Sequence, residues 1–202
     1  MMKELQIPFL PAADFAGCAP AAIDSYAWDE NGYRPQAQVW ACMTPDGLSV
    51  RMRCEEAKPF ARYTENESPV YEDSCMECFL CADFEPDTAP AYINLECNAN
   101  GAFLCHFGPK GNRGAVTLRG WPDPDVRVTK GDGFWQIDAR FPKELLLGAF
   151  GFDPCRSGAQ FRANFYKCGD KTEKPHFGSW SPIVSDRPNF HLPEFFGRVL
   201  VR

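Results

Sequence analysis

The stretch Phe134-Trp135-Gln136-Ile137-Asp138-Ala139-Arg140-Phe141 alternates between apolar and polar side chains. Successive side chains of a β-strand point to opposite faces, so Gln136, Asp138 and Arg140 share one face. The other face carries Trp135, Ile137, Ala139 and Phe141. A strand with one dry and one wet face is typical of an antiparallel sheet that packs on one side only. The stretch therefore predicts a β-sandwich.

Similar segments occur along most of the chain, separated by turn residues. Thr44-Pro45-Asp46-Gly47 and Asn100-Gly101 each lie between two such segments, and Asn-Gly is a strong hairpin signal. One short helix is expected at 142–147, with Pro142 at its first position and Gly148 ending it. About ten strands are predicted, at 36–43, 48–54, 74–81, 92–98, 102–107, 115–119, 125–130, 134–141, 160–168 and 197–202.

Length and composition are typical of one globular domain. The chain has 202 residues, of which 45% are hydrophobic and 24% charged. Its 18 prolines and 16 glycines interrupt the sequence too often for long helices. We predict a single all-β domain over residues 1–202, an antiparallel β-sandwich in which residues 1–27 form an N-terminal lead-in.

The charge distribution argues against nucleic-acid and membrane partners. There are 21 basic and 27 acidic residues, giving a net charge of -6, and no run of basic residues occurs. No apolar stretch is long enough to span a bilayer, and the segment Met1–Pro8 contains an acid and a proline where a signal peptide is apolar. The chain as written is expected in the cytoplasm, and its sequence identifies no protein partner.

Ten cysteines in a chain without an export signal predict reduced thiols. Cys75, Cys78 and Cys81 match three positions of a ferredoxin-type run, but Glu85 stands at the fourth position. The segment also lacks the glycine and proline that would wrap it around a cluster. We expect buried, metal-free thiols on a strand rather than a metal site.

Polar side chains share one face of the strand that precedes Asn100-Gly101. Asn94, Glu96 and Asn98 alternate with apolar residues, and a two-residue turn would place Asn98 opposite Phe103. Saccharides are bound by polar side chains that reach their hydroxyls and by aromatic rings that pack on their C–H faces. This face offers both, although an ordinary solvated sheet face is the alternative.

Glu77 lies on a strand that is otherwise apolar on both faces, so its charge needs a partner or a ligand. Lys167 poses the same question near the end of the predicted strand 160–168. A structural ion pair of Glu77 with Lys167, or with a base such as Arg113, is one interpretation. Ligand hydroxyls that bind to Glu77 in a pocket are the other.

Five segments of the chain, taken in order, carry a family resemblance. They are Asp73–Leu80, Tyr92–Gly101, Asn164–Asp170, Pro175–Pro182 and Asn189–Gly197. The chain resembles stand-alone proteins related to family 9 carbohydrate-binding modules, within the DOMON-like superfamily. The resemblance runs from about Trp28 to the C-terminus. It implies an immunoglobulin-like or jelly-roll β-sandwich that binds saccharides without catalysis.

The resemblance also implies a site in which two aromatic rings hold the end of a saccharide, while acidic, amide and basic side chains reach its hydroxyls. Trp180 matches one ring and Glu77 matches the acid of the strand, whereas Tyr71 stands where the family has its other ring. The candidate ligand-binding residues are Trp180, Tyr71, Glu77, Glu96, Asn98, Arg113, Lys167 and His176.

Structural calcium is common in the family, and acidic loops at 83–87, 122–125 and 132 offer oxygen ligands of the kind that Ca²⁺ binds. A bound calcium ion is therefore one expectation, and solvated loops without an ion are the alternative. No other cofactor is expected.

Two other functions are consistent with the sequence. One is an enzyme that acts on small sugars or their derivatives, with Glu77 or Glu96 as the acid–base group and His176 or His191 assisting. The other is a β-sandwich that uses an aromatic surface to bind another protein.

Overall fold

The computed structural model describes residues 2–83 and 90–202. Two β-sheets pack face to face, so the predicted all-β sandwich is confirmed. The strands are β1 (Glu4–Ile7), β2 (Ala21–Ile23), β3 (Ala37–Thr44), β4 (Gly47–Cys54), β5 (Cys75–Ala82), β6 (Tyr92–Asn98), β7 (Phe103–Gly108), β8 (Gly114–Ala115), β9 (Asp125–Gly131), β10 (Phe134–Pro142), β11 (Gln160–Cys168), β12 (Phe177–Ser179) and β13 (Gly197–Val201). One helix, α1 (Lys143–Phe150), and 3₁₀ turns at Val70–Glu72, Val116–Arg119 and Pro193–Phe195 complete the described elements.

The larger sheet has eight strands in the order β1-β13-β11-β5-β6-β7-β8, with β12 paired to β11. The smaller sheet has five strands in the order β2-β3-β4-β10-β9. β1 pairs with β13 in parallel, and the other described strand pairs are antiparallel.

The alternation of β10 fixes the inner face of the five-stranded sheet. Trp135 and Ile137 are buried in the core between the sheets, together with Phe165 of the larger sheet. Asp138 points the other way and forms an ion pair with Arg51 at 2.6 Å on the outer face. One face of this strand is therefore dry and the other wet, as its sequence predicts.

A second apolar layer covers the outer face of the eight-stranded sheet, which is the face that points away from the five-stranded sheet. Phe79, Tyr92 and Tyr166 are fully buried there. The chain between β4 and β5 and the chain between β12 and β13 pack over them with residues such as Val70 and Ile183. This cover explains why β5 is apolar on both faces.

The hairpin between β6 and β7 differs from the predicted two-residue turn. The backbone N–H of Asn98 donates to the carbonyl of Ala102 at 3.0 Å, so three residues form the loop. The side chain of Asn98 stabilises this longer loop, because its Oδ1 accepts the backbone N–H of Ala102 at 3.1 Å. Glu96 consequently lies opposite Leu104, and the predicted pairing of Asn98 with Phe103 is wrong.

The helix α1 is longer than predicted. Pro142 precedes its first residue, and the helix continues through Gly148 to Phe150. A Cβ atom at residue 148 would lie 2.4 Å from the ring of Trp121, so glycine is required for close packing there rather than for ending the helix. Gly151, with a φ of 73°, ends the helix in the left-handed conformation.

Two other predictions of secondary structure are corrected. The predicted strand 115–119 is mostly the 3₁₀ turn Val116–Arg119, which Gly120 ends with a φ of 74°. The segment 1–27 contributes β1 and β2, which have four and three residues and are too short to show a periodic pattern. Among the described residues, no helix has the length and apolar content needed to span a membrane.

Candidate functional site

A cleft of about 450 Å³ opens on the outer face of the eight-stranded sheet. Its floor is formed by β5, β6 and β7, and its walls are formed by the surrounding loops. Its polar lining residues are Glu77, Asn94, Glu96, His106, Arg113, Asp170, Asn189 and His191. Its apolar lining residues are Tyr71, Leu104, Phe177, Pro188 and Phe190.

Two carboxyl groups lie side by side in the floor of the cleft. Glu77 and Glu96 face each other across the β5–β6 ladder and are only 3% and 4% exposed. Burial raises the pKa of Glu77 well above its ordinary value, and Cys168 and Glu96 raise it further. Burial also raises the pKa of Glu96 to about 7, although Asn94 and Arg113 act to lower it. The raised pKa favours the protonated form of Glu77, which can donate as well as accept a hydrogen bond.

Two buried polar atoms of the lining have no hydrogen-bond partner among the described residues. The side-chain nitrogen of Asn94 donates to Oε1 of Glu96 at 2.9 Å, but Oδ1 of Asn94 accepts no hydrogen bond. Arg113 donates from Nη1 to the hydroxyl of Tyr92 at 2.6 Å, whereas its Nε has no acceptor. An unsatisfied buried polar group costs about 1–3 kcal/mol, so both atoms favour a bound molecule that supplies the missing hydrogen bond.

His191 is held in its neutral form at the edge of the cleft. Burial and then the positive charges of Arg113 and Lys110 lower its pKa to about 3. Nε2 of His191 lies 3.3 Å from Nη2 of Arg113, which always donates, so Nδ1 carries the ring proton. This proton is donated to the hydroxyl of Tyr92 at 3.0 Å, and the ring stacks on Phe79. The imidazole is therefore fixed in one tautomer and one orientation.

Three aromatic rings border the cleft. Tyr71 is 40% exposed, and its carbonyl accepts the backbone N–H of Asp170 at 3.1 Å. Phe177 and Phe190 meet edge to face with ring centres 6.3 Å apart, and Phe190 stacks on Tyr166 at 4.1 Å. Aromatic rings in such a border offer apolar faces on which the C–H groups of a ligand can pack.

The structure brings four of the predicted ligand-binding residues together. Tyr71, Glu77, Glu96 and Arg113 all line the cleft, although they come from different strands and loops. Asn94, which the alternation of β6 places on the same face as Glu96, lines it too.

Lys167 and His176 lie outside the cleft, on the inner side of the sheet. Met76 and not Glu77 is opposite Lys167 in the β5–β11 ladder, so Glu77 and Lys167 point to different faces. Nζ of the fully buried Lys167 donates to Nε2 of His176 at 2.7 Å and lies 3.4 Å from the carboxylate of Glu56. The predicted pairing of Glu77 with Lys167 is therefore wrong, and neither Lys167 nor His176 faces a ligand in the cleft.

Asn98 supports a loop rather than lining the cleft. Its side-chain nitrogen donates to the carbonyl of Tyr63 and to the carboxylate of Asp73, both at 2.9 Å. Asp73 also accepts the backbone N–H groups of Arg62 and Tyr63. Asn98 thereby fixes the chain that precedes β5, and the prediction that it binds a ligand is not supported.

Trp180 is a core residue, so the prediction of an exposed stacking ring is wrong. Its neighbour Ser179 lies opposite Tyr166 on the outer face, and the next side chain consequently points inward. Trp180 is 3% exposed and packs against Phe165 with ring centres 5.6 Å apart. A Cβ atom on Gly197 would lie 2.4 Å from the Trp180 ring, which shows how closely the backbone approaches it.

The three cysteines of the ferredoxin-like run do not meet. Cys78 packs in the core between the sheets, whereas Cys75 and Cys81 belong to the apolar layer on the outer face. All ten cysteines are buried and free of disulfide bonds in this structure.

Calcium binding by the acidic loops stays a prediction. Residues 84–87 of the first acidic loop lie outside the described residues. In the second loop, Asp125 forms an ion pair with Arg140.

Several residues of the cleft were missed by sequence reasoning. Phe177, Asn189 and Phe190 lie in short or irregular segments where no alternation indicates a face. The sequence indicates His191 only as an assistant in an enzyme, and no sequence spacing links it to Arg113.

The raised pKa of Glu77 predicts a pH-dependent stability difference between the wild type and Glu77→Gln. Above its ordinary value of 4.5 this carboxyl ionises in the unfolded chain but stays protonated in the fold. The contribution of Glu77 to folding stability therefore falls as pH rises, by about 1.4 kcal/mol per pH unit, until the pKa of the folded state is reached. Glutamine does not ionise, so Glu77→Gln has no such pH-dependent term. The free energy of unfolding of the variant minus that of the wild type should therefore increase by about 1.4 kcal/mol per pH unit. Urea unfolding of both proteins at about pH 5, 6 and 7 measures it, and a pH-independent difference would contradict the pKa direction.

Comparison with known proteins gives a family and a set of similar structures. The family model described as carbohydrate-binding family 9 matches residues 9–119 and 131–201. No curated protein matches the chain by sequence.

Three solved structures share the fold over nearly the whole chain. A carbohydrate-binding candidate from Bacteroides uniformis ATCC 8492 is 23% identical, with a TM-score of 0.82 and full coverage of both chains. A family 9 carbohydrate binding module from Caldicellulosiruptor kristjanssonii in complex with cellotriose is 12% identical, with a TM-score of 0.68 and coverage of 99% of this chain and 94% of that chain. The complex of such a module with glucose is 13% identical, with a TM-score of 0.66 and coverage of 99% and 96%.

Proposed function

Because the chain belongs to carbohydrate-binding family 9, we propose that the cleft on the outer face of the eight-stranded sheet binds a saccharide and leaves it chemically unchanged. The volume of the cleft, about 450 Å³, is in the range of small-molecule sites and suits a mono- or short oligosaccharide. The structurally similar modules from Caldicellulosiruptor kristjanssonii were solved with cellotriose and with glucose, which supports this ligand class.

The observation that carries the proposal is the pair of unsatisfied polar atoms in the lining. Oδ1 of Asn94 can accept a hydrogen bond, and Nε of Arg113 can donate one. A saccharide hydroxyl is both a donor and an acceptor, so saccharide hydroxyls have the hydrogen-bonding capacity that both atoms lack. A purely apolar ligand would leave the desolvation cost of both atoms uncompensated.

The remaining lining suits the other surfaces of a sugar ring. The rings of Tyr71, Phe177 and Phe190 offer apolar faces for its C–H groups. The raised pKa of Glu77 favours a protonated carboxyl, which adds a donor and an acceptor to the floor. These features support binding through an aromatic border and polar floor residues.

Loss of the Asn94 amide is expected to weaken saccharide binding about 5- to 150-fold. The substitution removes one buried hydrogen bond to the saccharide, which is worth about 1–3 kcal/mol. Isothermal titration calorimetry of the wild type against glucose, cellotriose and a panel of other neutral saccharides identifies the ligand. The tightest binder is then titrated into Asn94→Ala.

Gln38→Ala is the matched control for this experiment, because Gln38 is also an amide but is exposed on β3 of the other sheet. The control should bind as the wild type does. Binding by Asn94→Ala at wild-type affinity, or no binding by the wild type to any saccharide of the panel, would refute the proposed site.

Catalysis is the second candidate function, and the raised pKa values of Glu77 and Glu96 favour it. A carboxyl with a pKa of about 7, such as Glu96, is suited to general acid catalysis near neutral pH. We nevertheless propose binding alone, because His176 lies outside the cleft and His191 is held by Arg113 and the hydroxyl of Tyr92. Incubation with aryl glycosides and sugar esters separates the two functions: turnover that Glu96→Gln abolishes would establish an enzyme.

A further inference from the structure

Three buried side chains that can bind a transition metal meet on the outer face of the eight-stranded sheet, and one of them, Glu77, lines the cleft. Cys75 and Cys168 lie directly opposite each other in the β5–β11 ladder, and Glu77 follows Cys75 on the same face of β5. The two sulfur atoms and a carboxyl oxygen all lie within 4.8 Å of one another, and Sγ of Cys168 is 3.0 Å from Oε1 of Glu77. None of the three is more than 3% exposed. We refer to these residues as the thiol–carboxyl cluster.

Glu77 has no cationic partner in the part of the chain that the structure describes. Among the ion pairs of the described residues, none involves Glu77. Lys167 is adjacent to Cys168 in sequence, but it points to the inner side of the sheet, toward Glu56. A buried carboxyl without an ionic partner is destabilising when charged, and a divalent cation would compensate it together with the two thiols.

We propose that the thiol–carboxyl cluster binds one Zn²⁺ ion through Sγ of Cys75, Sγ of Cys168 and the carboxylate of Glu77. Binding releases the protons of the two thiols and of the carboxyl to solvent, so the three ligands bind as anions. Zinc lies about 2.3 Å from sulfur and about 2.0–2.2 Å from a carboxylate oxygen, so the ligand atoms of a tetrahedral site lie a little under 4 Å apart. The spacing within the cluster thus requires only small side-chain adjustments.

The mixed ligand set selects zinc over other common ions. Thiolate ligands are disfavoured by Mg²⁺ and Ca²⁺, whereas a carboxylate is a poor ligand for Cu⁺. Zinc accepts both, and sites with three protein ligands keep a fourth position for water or substrate. Of the three proposed ligands Glu77 alone lines the cleft, so a molecule in the cleft would reach the fourth position beside Glu77. A saccharide hydroxyl could occupy this fourth position, and that consequence rests on the proposed function. Zinc binding by the three side chains does not rest on it.

A zinc ion bound by Cys75 and Cys168 would replace the expectation that all ten thiols are metal-free. That expectation considered the spacing of Cys75, Cys78 and Cys81 along one strand. The strand pairing separates Cys78 from the other two and brings Cys75 to Cys168 instead.

The test uses the full chain, purified with a phosphine reductant and freed of metal by a chelator. Calorimetric titration with Zn²⁺ is expected to give one site per chain. Titration with Co²⁺ is expected to give thiolate-to-cobalt charge-transfer absorption, which reports sulfur ligands directly. No saccharide is present, so the result is independent of the proposed function.

Substitution of the ligands identifies the site. Cys75→Ser, Cys168→Ser and Glu77→Gln should each weaken Zn²⁺ binding at least 10-fold. Cys78→Ala is the matched control, because Cys78 is equally buried on the same strand but faces the core, and it should bind zinc as the wild type does.

Three results would overturn the proposal: a wild type that binds no zinc, a Co²⁺ complex without charge-transfer absorption, or ligand variants that bind zinc with wild-type affinity. If a serine variant fails to fold, the Co²⁺ absorption of the wild type and the Zn²⁺ affinity of Glu77→Gln still test the proposed site. A native mass lower by two hydrogens, with Cys75 and Cys168 linked in a peptide map, would show a disulfide in place of the metal site.

Discussion

Trp180→Ala is expected to lower the free energy of unfolding by about 3–5 kcal/mol, the usual cost of removing a large aromatic side chain from a core. Trp180 is 3% exposed, packs against Phe165 and lies close to the backbone of Gly197. Because surrounding residues relax only partly, the substitution leaves a cavity between the sheets. Chemical denaturation of the wild type and the variant measures the loss.

The same variant separates a core tryptophan from a ligand-stacking one. Folded Trp180→Ala should bind saccharide with wild-type affinity when it is assayed well below its melting temperature, because the side chain points away from the cleft. Trp180→Phe should recover much of the lost stability, since it keeps an aromatic ring in the cavity. A variant as stable as the wild type that has lost saccharide binding would instead place Trp180 in the binding site.

Lys167→Ala is expected to destabilise the protein by about 3–5 kcal/mol, because removal of one member of a buried ion pair leaves the other uncompensated. Burial acts to raise the pKa of Glu56, but Lys167, Trp135 and Ser74 together hold it below its ordinary value. Lys167 also donates to the carbonyl of Cys168 at 2.9 Å and to the neutral ring of His176. Its loss therefore leaves the carboxylate of Glu56 without its cation, and it removes one donor each from the Cys168 carbonyl and the His176 ring.

Two further variants test whether charge compensation is the cause. Lys167→Met combined with Glu56→Gln should be more stable than Lys167→Met alone, because the uncompensated charge is removed. Lys171→Ala is the matched control, since Lys171 pairs with Glu72 on the surface, where water screens the interaction, and it should have a far smaller effect. Equal losses in the single and double variants would show that packing and not charge dominates.

The sandwich could be predicted because its central strands alternate strongly. β10 has one dry and one wet face, and Thr44-Pro45-Asp46-Gly47 correctly marks the hairpin between β3 and β4. The short strands β1, β2 and β12 have three or four residues, so their pairing depends on contacts with distant strands rather than on a local pattern.

The site could be predicted only in part. Glu77 stands out because a carboxyl group on a strand that is apolar on both faces requires compensation, and Glu96 stands out because it shares a polar face with Asn94. Both line the cleft. Lys167 stands out for the same reason but belongs elsewhere, because the sequence of one strand does not reveal which residue of the next strand lies opposite. Trp180 resembles a clamp residue in its sequence context, yet the pairing of β12 turns it inward.

An NMR titration of the ¹⁵N-labelled protein with the tightest-binding saccharide tests most directly whether the cleft is the binding site. We predict that the amide shifts change around Tyr71, Glu77, Asn94 and Arg113, while those around Trp40 on the outer face of the five-stranded sheet do not. Shift changes centred on Trp40, or no change in the cleft at saturating saccharide, would contradict the account.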